Sequence, residues 1–206
     1  MSREVLIVPT GTANLASVTA GITRAGGRVE LVREAERIAS ADRVVLPGVG
    51  ALAAARRQLD ADGLVEALRE RVQSGRPTLA VCLGLQLLCL ESEESPGTRG
   101  LGAVATRAER FPDTVMVPQM GWNRIEPNPD CRYLQPGYAY FANSYRLKTV
   151  PGPWRIAWSE HGGRFAAAIE YGDVLACQFH PELSGEWGAR LLERWVLGNP
   201  KGEAAC

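Results

Sequence analysis

The sequence has little lysine, little histidine and no net charge. Lys148 and Lys201 are its two lysines, and 23 Lys plus Arg balance 23 Asp plus Glu in 206 residues. With no basic stripe and no Lys/Arg block, neither a nucleic-acid nor a membrane-surface partner is expected. The arginine bias is of a kind that both genome composition and a hot habitat produce. No apolar run approaches the roughly 18 residues that a transmembrane helix needs. The opening MSREVLIVP has too short an apolar run and no small-residue cleavage site, so it reads as a strand rather than a signal peptide. A cytoplasmic location is the expectation. The five cysteines are Cys82, Cys89, Cys131, Cys177 and Cys206, and no two are spaced C-x-x-C. Reduced thiols are therefore expected, without a zinc or other metal site. Their odd number leaves room for one chemically special thiol. Neither an internal repeat nor a low-complexity linker is present. With 46% hydrophobic residues a substantial core is possible, and residues 1–206 read as one domain.

What is present is an alternation of strand and helix. Residues 5–8 form a short, wholly apolar run, as in a strand covered on both faces. Leu15, Val18, Ile22 and Ala25 recur at helical spacing, and Gly26-Gly27 stops that helix. Strands are expected at residues 28–32, 43–46 and 77–81, helices at 51–59 and 64–72, and another helix from residue 85 to 90. This rhythm predicts an α/β fold: a doubly wound, mostly parallel sheet with helices on both faces. In such sheets the chemistry sits at the carboxyl ends of the strands. From residue 115 to 178 the pattern changes to short strands separated by Gly and Pro. Residues 154–159, 165–171 and 174–179 predict an appended antiparallel strand series, with His161-Gly162-Gly163 and Gly172-Asp173 as its turns. A last helix carries Leu191, Leu192, Trp195 and Val196, and residues 198–206 read as a frayed tail. The acidic residues 91–95 read as a solvated helix end.

One cysteine stands apart. Cys82 lies in Ala80-Val81-Cys82-Leu83-Gly84, between an apolar strand and a helix, with small residues two before and two after it. That is a sulfur version of the nucleophile elbow G-x-S-x-G, whose sharp turn crowds the flanking positions and presents the side chain at the end of the sheet. A helix N-terminus there favours a thiolate. The competing reading is a small buried hydrophobe, which most free cysteines are. A cysteine nucleophile needs a base, and the chain has two histidines. His161 lies at the expected hairpin tip and reads as solvent-exposed. His180 follows an apolar strand in Gln178-Phe179-His180-Pro181-Glu182. Its alternative is a satisfied core histidine, but Glu182 tips the balance. On an extended chain His180 and Glu182 project to the same side, and Pro181 favours extended geometry at His180. A carboxylate so placed orients the imidazole, as in a catalytic triad. Acyl transfer also needs an oxyanion hole. The backbone N–H of Leu83 supplies one donor, and the turn Pro47-Gly48-Val49-Gly50 offers the N–H groups of Val49 and Gly50. A dinucleotide-binding reading of that turn fails, because the G-x-G-x-x-G spacing is incomplete.

Taken together, Pro47-Gly48-Val49-Gly50, Cys82-Leu83-Gly84-Leu85-Gln86 and His180-Pro181-Glu182 resemble the motifs of class I glutamine amidotransferases, in that order. Within that family the sequence most resembles the glutaminase subunits of imidazole glycerol phosphate synthases. Met120-Gly121-Trp122-Asn123, Ser144-Tyr145-Arg146 and the acidic run Glu91-Ser92-Glu93-Glu94 carry this closer likeness. The resemblance implies Cys82 as nucleophile, His180 as base, Glu182 as its orienter, and glutamine binding by Gly50, Gln86, Ser144 and Tyr145. It implies no cofactor, and a heterodimer with a barrel-shaped cyclase subunit that receives the ammonia. Four departures from the family pattern stand out: Pro9 to Asn14 after the first strand, Gln119 and Asn143 where histidine is frequent, and Leu183 where lysine is usual. A glutaminase serving anthranilate or pyridoxal phosphate synthesis, a hydrolase acting alone, and a catalytically inactive regulatory subunit remain as alternatives.

Overall fold

The computed structural model describes residues 2–11 and 14–198. Strand and helix alternate first: β1 (Arg3–Ile7), α1 (Leu15–Arg24), β2 (Gly27–Leu31), α2 (Ala35–Ser40), β3 (Val44–Gly48), α3 (Leu52–Ala61), α4 (Val65–Gln73), β4 (Thr78–Cys82) and α5 (Leu83–Leu88). Strands then dominate: β5 (Cys89–Ser92), β6 (Val104–Arg110), β7 (Gln119–Pro127), β8 (Gly137–Asn143), β9 (Tyr145–Arg146), β10 (Arg155–Glu160), β11 (Arg164–Tyr171) and β12 (Val174–Cys177). A 3₁₀ turn at Pro181–Leu183 leads into α6 (Gly185–Leu197).

Nine strands form one sheet in the order β2-β1-β3-β4-β12-β11-β10-β7-β8, and β5, β6 and β9 form a smaller one. Neighbours from β2 to β12 are parallel, and those from β12 to β8 are antiparallel. The expected α/β fold is found. The antiparallel series continues the main sheet, because β12 is parallel to β4 on one side and antiparallel to β11 on the other.

The period of two along each strand divides the core into two layers. Val5 and Ile7 of β1 pack with Val18 and Ile22 of α1 and with Leu191 and Trp195 of α6. Leu6 points the other way and packs with Leu52, Leu59 and Leu68 of α3 and α4. β3 and β4 are buried at every residue, as strands between two helical layers must be.

Three local expectations are corrected. The helix expected over residues 85–90 ends at Leu88, and Cys89 opens β5, where the parallel ladder to Val104 of β6 draws the chain out of the helix. A run that is apolar apart from Gln86 carries too little period to reveal this change. Residues 91–95 are then no helix end. The Glu94 carboxylate accepts from Leu52 N–H at 2.9 Å and the Ser95 hydroxyl from Ala53 N–H at 3.3 Å. Together they cap α3, whose own N-cap, Ala51, has no side-chain acceptor. Gly198 is an ordered left-handed cap of α6 at φ 71°, with its N–H bonded to the Trp195 carbonyl. Residues 199–206 of the expected tail, with Cys206, lie outside the described residues.

Candidate active site

Cys82 closes β4 and α5 begins at the next residue, so strand turns to helix without a linker. The turn is made at Cys82 itself, with φ 53° and ψ −105°, the one positive φ of a non-glycine among the described residues. Such a conformation costs on the order of 1–3 kcal/mol and persists where the surroundings enforce it. The enforcement is visible on both sides of the thiol. β3 pairs with β4 so that Gly48 stands opposite Cys82. A Cβ on Gly84 would lie 2.0 Å from the Leu46 carbonyl oxygen, and one on Gly48 would lie 2.9 Å from Leu83 Cβ. The first turn of α5 is thus laid against the backbone of β3, which is why the position two after Cys82 is glycine. The thiol is nearly buried, at 7% exposure.

His180 reaches the thiol from the segment that follows β12, the strand beside β4 in the sheet. The chain stays extended after β12, with His180 at φ −101° and ψ 96°. His180 N–H donates to the Tyr140 carbonyl of β8 at 2.9 Å, although β8 is the far edge strand of the sheet. The sheet curls until its edge meets the segment that follows β12. Ser184, 1% exposed, fastens this contact: its hydroxyl donates to the His180 carbonyl at 2.6 Å and accepts from Tyr140 N–H at 2.9 Å. His180 Nδ1 and Glu182 Oε1 are 2.9 Å apart. The pairing expected from the sequence is present, but not on an extended chain. Glu182 sits in the 3₁₀ turn, closed by Leu183 N–H to the His180 carbonyl, and that turn folds the carboxylate back under the ring.

With Nδ1 committed to Glu182, Nε2 is left for Cys82. Burial opposes the charge on His180, but its hydrogen bonds to Cys82 and Glu182 outweigh that, and its pKa is pushed up to about 10. The arrangement therefore holds an imidazolium between a carboxylate and a sulfur at neutral pH. At the other described cysteines burial works against a thiolate. Burial pushes Cys89 up to about 12. Burial, then the charges of Glu170 and Asp130, pushes Cys131 up to about 12. Burial, then Glu170 and Glu182, pushes Cys177 well above the usual thiol range. His161 is not solvent-exposed as expected: it is half-buried, with Nε2 2.8 Å from the Met116 carbonyl and its ring edge-on to Phe111 at 4.9 Å.

Pro47, Gly48 and Val49 line a narrow cleft with Asn14, Val81, His180 and Glu182, so the turn expected to donate to an oxyanion does border the histidine–glutamate pair. Thr10 donates to the Pro47 carbonyl at 3.1 Å and ties the first loop to that turn. Gly50 has φ +83°, open to glycine and strained for other residues, with nothing within 4 Å of where a Cβ would be. Leu83 is the first residue of α5, where backbone N–H groups lack intrahelical acceptors. Gln86 is buried on α5, 3.5 Å from the Ser92 hydroxyl. Ser144, between β8 and β9, and Tyr145, which opens β9, are half-buried. Their carbonyls accept from Phe111 N–H at 3.0 Å and from Asn143 Nδ2 at 2.9 Å. Those bonds hold the backbone in place and do not reach the thiol. Gln119 and Asn143 are both buried and face each other across β7 and β8, whereas Leu183 is exposed.

Two residues at the site carried no assignment from the sequence. Ser184 has no sequence signal beyond its place after the motif. Gln178 does have one: it precedes His180 by two on an extended segment and shares its side. Its Nε2 lies 3.8 Å from Cys82 Sγ.

Comparison with known proteins decides the family. Glutamine amidotransferase class-I matches residues 10–198. The chain belongs to the class I glutamine amidotransferase family. Among its relatives, the imidazole glycerol phosphate synthase subunit HisH of Idiomarina loihiensis is 42% identical over 196 residues, covering 94% of this chain and 97% of the relative. HisH of Symbiobacterium thermophilum is 36% identical, covering 93% of this chain and 92% of the relative. HisH of Salmonella typhimurium is 38% identical, covering 94% and 98%. Solved structures share the fold at lower identity. A glutamine amidotransferase crystal structure superposes with a TM-score of 0.75 at 20% identity, covering 96% of this chain and 99% of the other. The structure of PurLQS from Thermotoga maritima superposes with a TM-score of 0.72 at 15% identity, covering 96% and 99%.

Proposed function

We infer that the chain is the glutaminase subunit of an imidazole glycerol phosphate synthase, hydrolysing glutamine and passing ammonia to a cyclase subunit in histidine biosynthesis. One observation carries the chemistry: the strained Cys82 at the end of β4 hydrogen-bonded to His180, which is paired with Glu182. The relatives' shared name favours histidine biosynthesis over the anthranilate and pyridoxal phosphate branches. An inactive regulatory subunit would have no use for the strain at Cys82.

The Cys82 thiolate attacks the side-chain amide carbon of glutamine. The oxyanion is held by the backbone N–H groups of Leu83 and of Val49 or Gly50, each worth roughly 2.7–4 kcal/mol by analogy with a lost oxyanion donor. Imidazolium His180 gives its proton to the departing nitrogen, the C–N bond breaks, and ammonia leaves a thioester. Neutral His180 then takes a proton from water, whose oxygen attacks the thioester carbon. The C–S bond breaks and glutamate departs. Glu182 fixes the ring throughout. Gly50, Gln86, Ser144 and Tyr145 form the glutamine pocket, and neither a metal nor an organic cofactor takes part.

Ammonia released to solvent would become unreactive ammonium, so a subunit docked over the site is needed. The barrel-shaped cyclase is placed on the face of β7 and β8 that carries Met120, Trp122 and Tyr138, 67%, 57% and 59% exposed, beside exposed Leu183. Exposed aromatic and methionine side chains are what the core of a protein interface uses. The test is Cys82→Ala in the complex. Glutamine-dependent synthesis should vanish while synthesis from ammonium salt at high pH survives. Loss of both together would make Cys82 structural and overturn the reading.

A further inference from the structure

Gln178 stands beside the thiol. β12 and β4 pair so that Cys177 lies opposite Val81, which brings the next residue of the one chain level with Cys82 of the other. The Gln178 side chain is fully buried, and its Nε2 donates to Cys82 Sγ at 3.8 Å. Its Oε1 is also buried and has no hydrogen-bond partner among the described residues. Burying an amide with its carbonyl unmet is unfavourable, and leucine or methionine would fill a similar volume without that cost. A neutral thiol is a weak acceptor and offsets little of it. A thiolate changes the balance, because a hydrogen bond to a charged acceptor is roughly twice as strong as one to a neutral group. The two donors on the sulfur also differ in kind. His180 must carry its proton away to the leaving nitrogen, whereas the amide has no proton to surrender and stays in place.

We propose that Gln178 is a fourth working residue of the site, whose amide N–H holds the Cys82 sulfur and stabilises its thiolate before attack and on cleavage of the thioester. This rests on the assignment of Cys82 as nucleophile. It deepens that assignment by giving the sulfur a fixed, non-titrating partner on the strand next to its own.

The experiment compares Gln178→Met with the wild-type chain, each assembled with the cyclase subunit. The expected result is a fall in kcat for glutamine of about tenfold to a hundredfold, the equivalent of one hydrogen bond to a charged group. KM should stay within about twofold, since no contact with bound substrate is removed. Inactivation of Cys82 by an electrophilic glutamine analogue should slow by a similar factor. The melting temperature should be unchanged or higher, because an unsatisfied buried amide has gone. Gln178→Glu, of the same shape but with an acceptor against the sulfur, should lose at least as much activity. A methionine variant with kcat within about twofold of wild type overturns the proposal. So does a loss of activity matched by a lower melting temperature. Gln178→Leu makes the same comparison if methionine packs badly, and failure of both to fold would make the amide a structural support. Glutamine turnover surviving in Cys82→Ala would instead bring down the nucleophile assignment itself.

Discussion

In the parallel half of the main sheet, β3 and β4 are buried at every position; in the antiparallel half, β7 leaves Met120, Trp122, Arg124 and Glu126 open to solvent. The parallel half lies between two helical layers and holds Cys82, the one non-glycine residue with a positive φ among the described residues. The antiparallel half is fastened at its inner edge by Glu170, fully buried, whose carboxylate accepts from the N–H groups of Arg132, Tyr133 and Leu134 at 2.6–2.9 Å. Strain can be kept only where every neighbour is fixed, and recognition needs a face that nothing covers. The two halves meet at His180, which leaves the parallel side through β12 and is anchored on β8 of the other.

Breaking the meeting point should have the largest effect. In the proposed mechanism His180→Asn would remove both proton transfers and should lower glutamine turnover by on the order of 10³-fold or more, while Glu182→Gln, which would only loosen orientation, should cost no more than that. His161→Asn, on the far hairpin, should be nearly silent. Steady-state glutaminase assays on the three variants decide, and near-wild-type turnover by His180→Asn would remove it as the base.

Gly84→Ala and Trp122→Ala set the two halves against each other. At Gly84 a methyl would strike the Leu46 carbonyl of a fixed strand, so destabilisation of about 3 kcal/mol or more is expected. Trp122→Ala on the open face should change stability by about 0.5 kcal/mol or less, yet weaken assembly with the cyclase by about 2 kcal/mol. Denaturant unfolding and titration of the partner measure the two. Equal stability losses would mean that the halves are not divided in this way.

The last effect is one of pH. His180 is raised from its ordinary 6.5 to about 10 in the folded chain. A group whose pKa is raised on folding stabilises fully below its unfolded value, and that contribution is lost as pH rises through the folded one. The difference in unfolding free energy between wild type and His180→Asn should therefore shift steadily between about pH 6.5 and 10, in the direction of a weaker wild type. A difference that stays flat across this window would mean that the imidazolium is not held by the fold.

The parallel half was readable because its central strands, β1, β3 and β4, carry short runs of apolar residues bounded by glycine, proline or a helix period, and both cues are local. Cys82 and its small neighbours were readable for the same reason, since the elbow is a five-residue event. α2 was not expected, for Ala35–Ser40 buries only Ile38 and leaves almost no periodic signal. The change from α5 to β5 at Cys89 was hidden by a run of leucines that suits either element. The environment of His161 was misjudged because a hairpin tip says nothing of Phe111 and Met116, which come from elsewhere in the chain.

By itself the sequence determined the order of strands and helices in the first half, the elbow at Cys82 and the pairing of His180 with Glu182, because these depend on residues within a few positions of one another. Only the tertiary structure decided that β12 enters between β4 and β11, that the sheet curls until Tyr140 meets His180, and that Ser184, Gln178 and Glu94 support the site. The Tyr140–His180, Glu94–Leu52, Ser184–Tyr140 and Gln178–Cys82 contacts join residues 40 to 96 positions apart. Their formation is governed by how whole layers pack, and no local period or spacing records it.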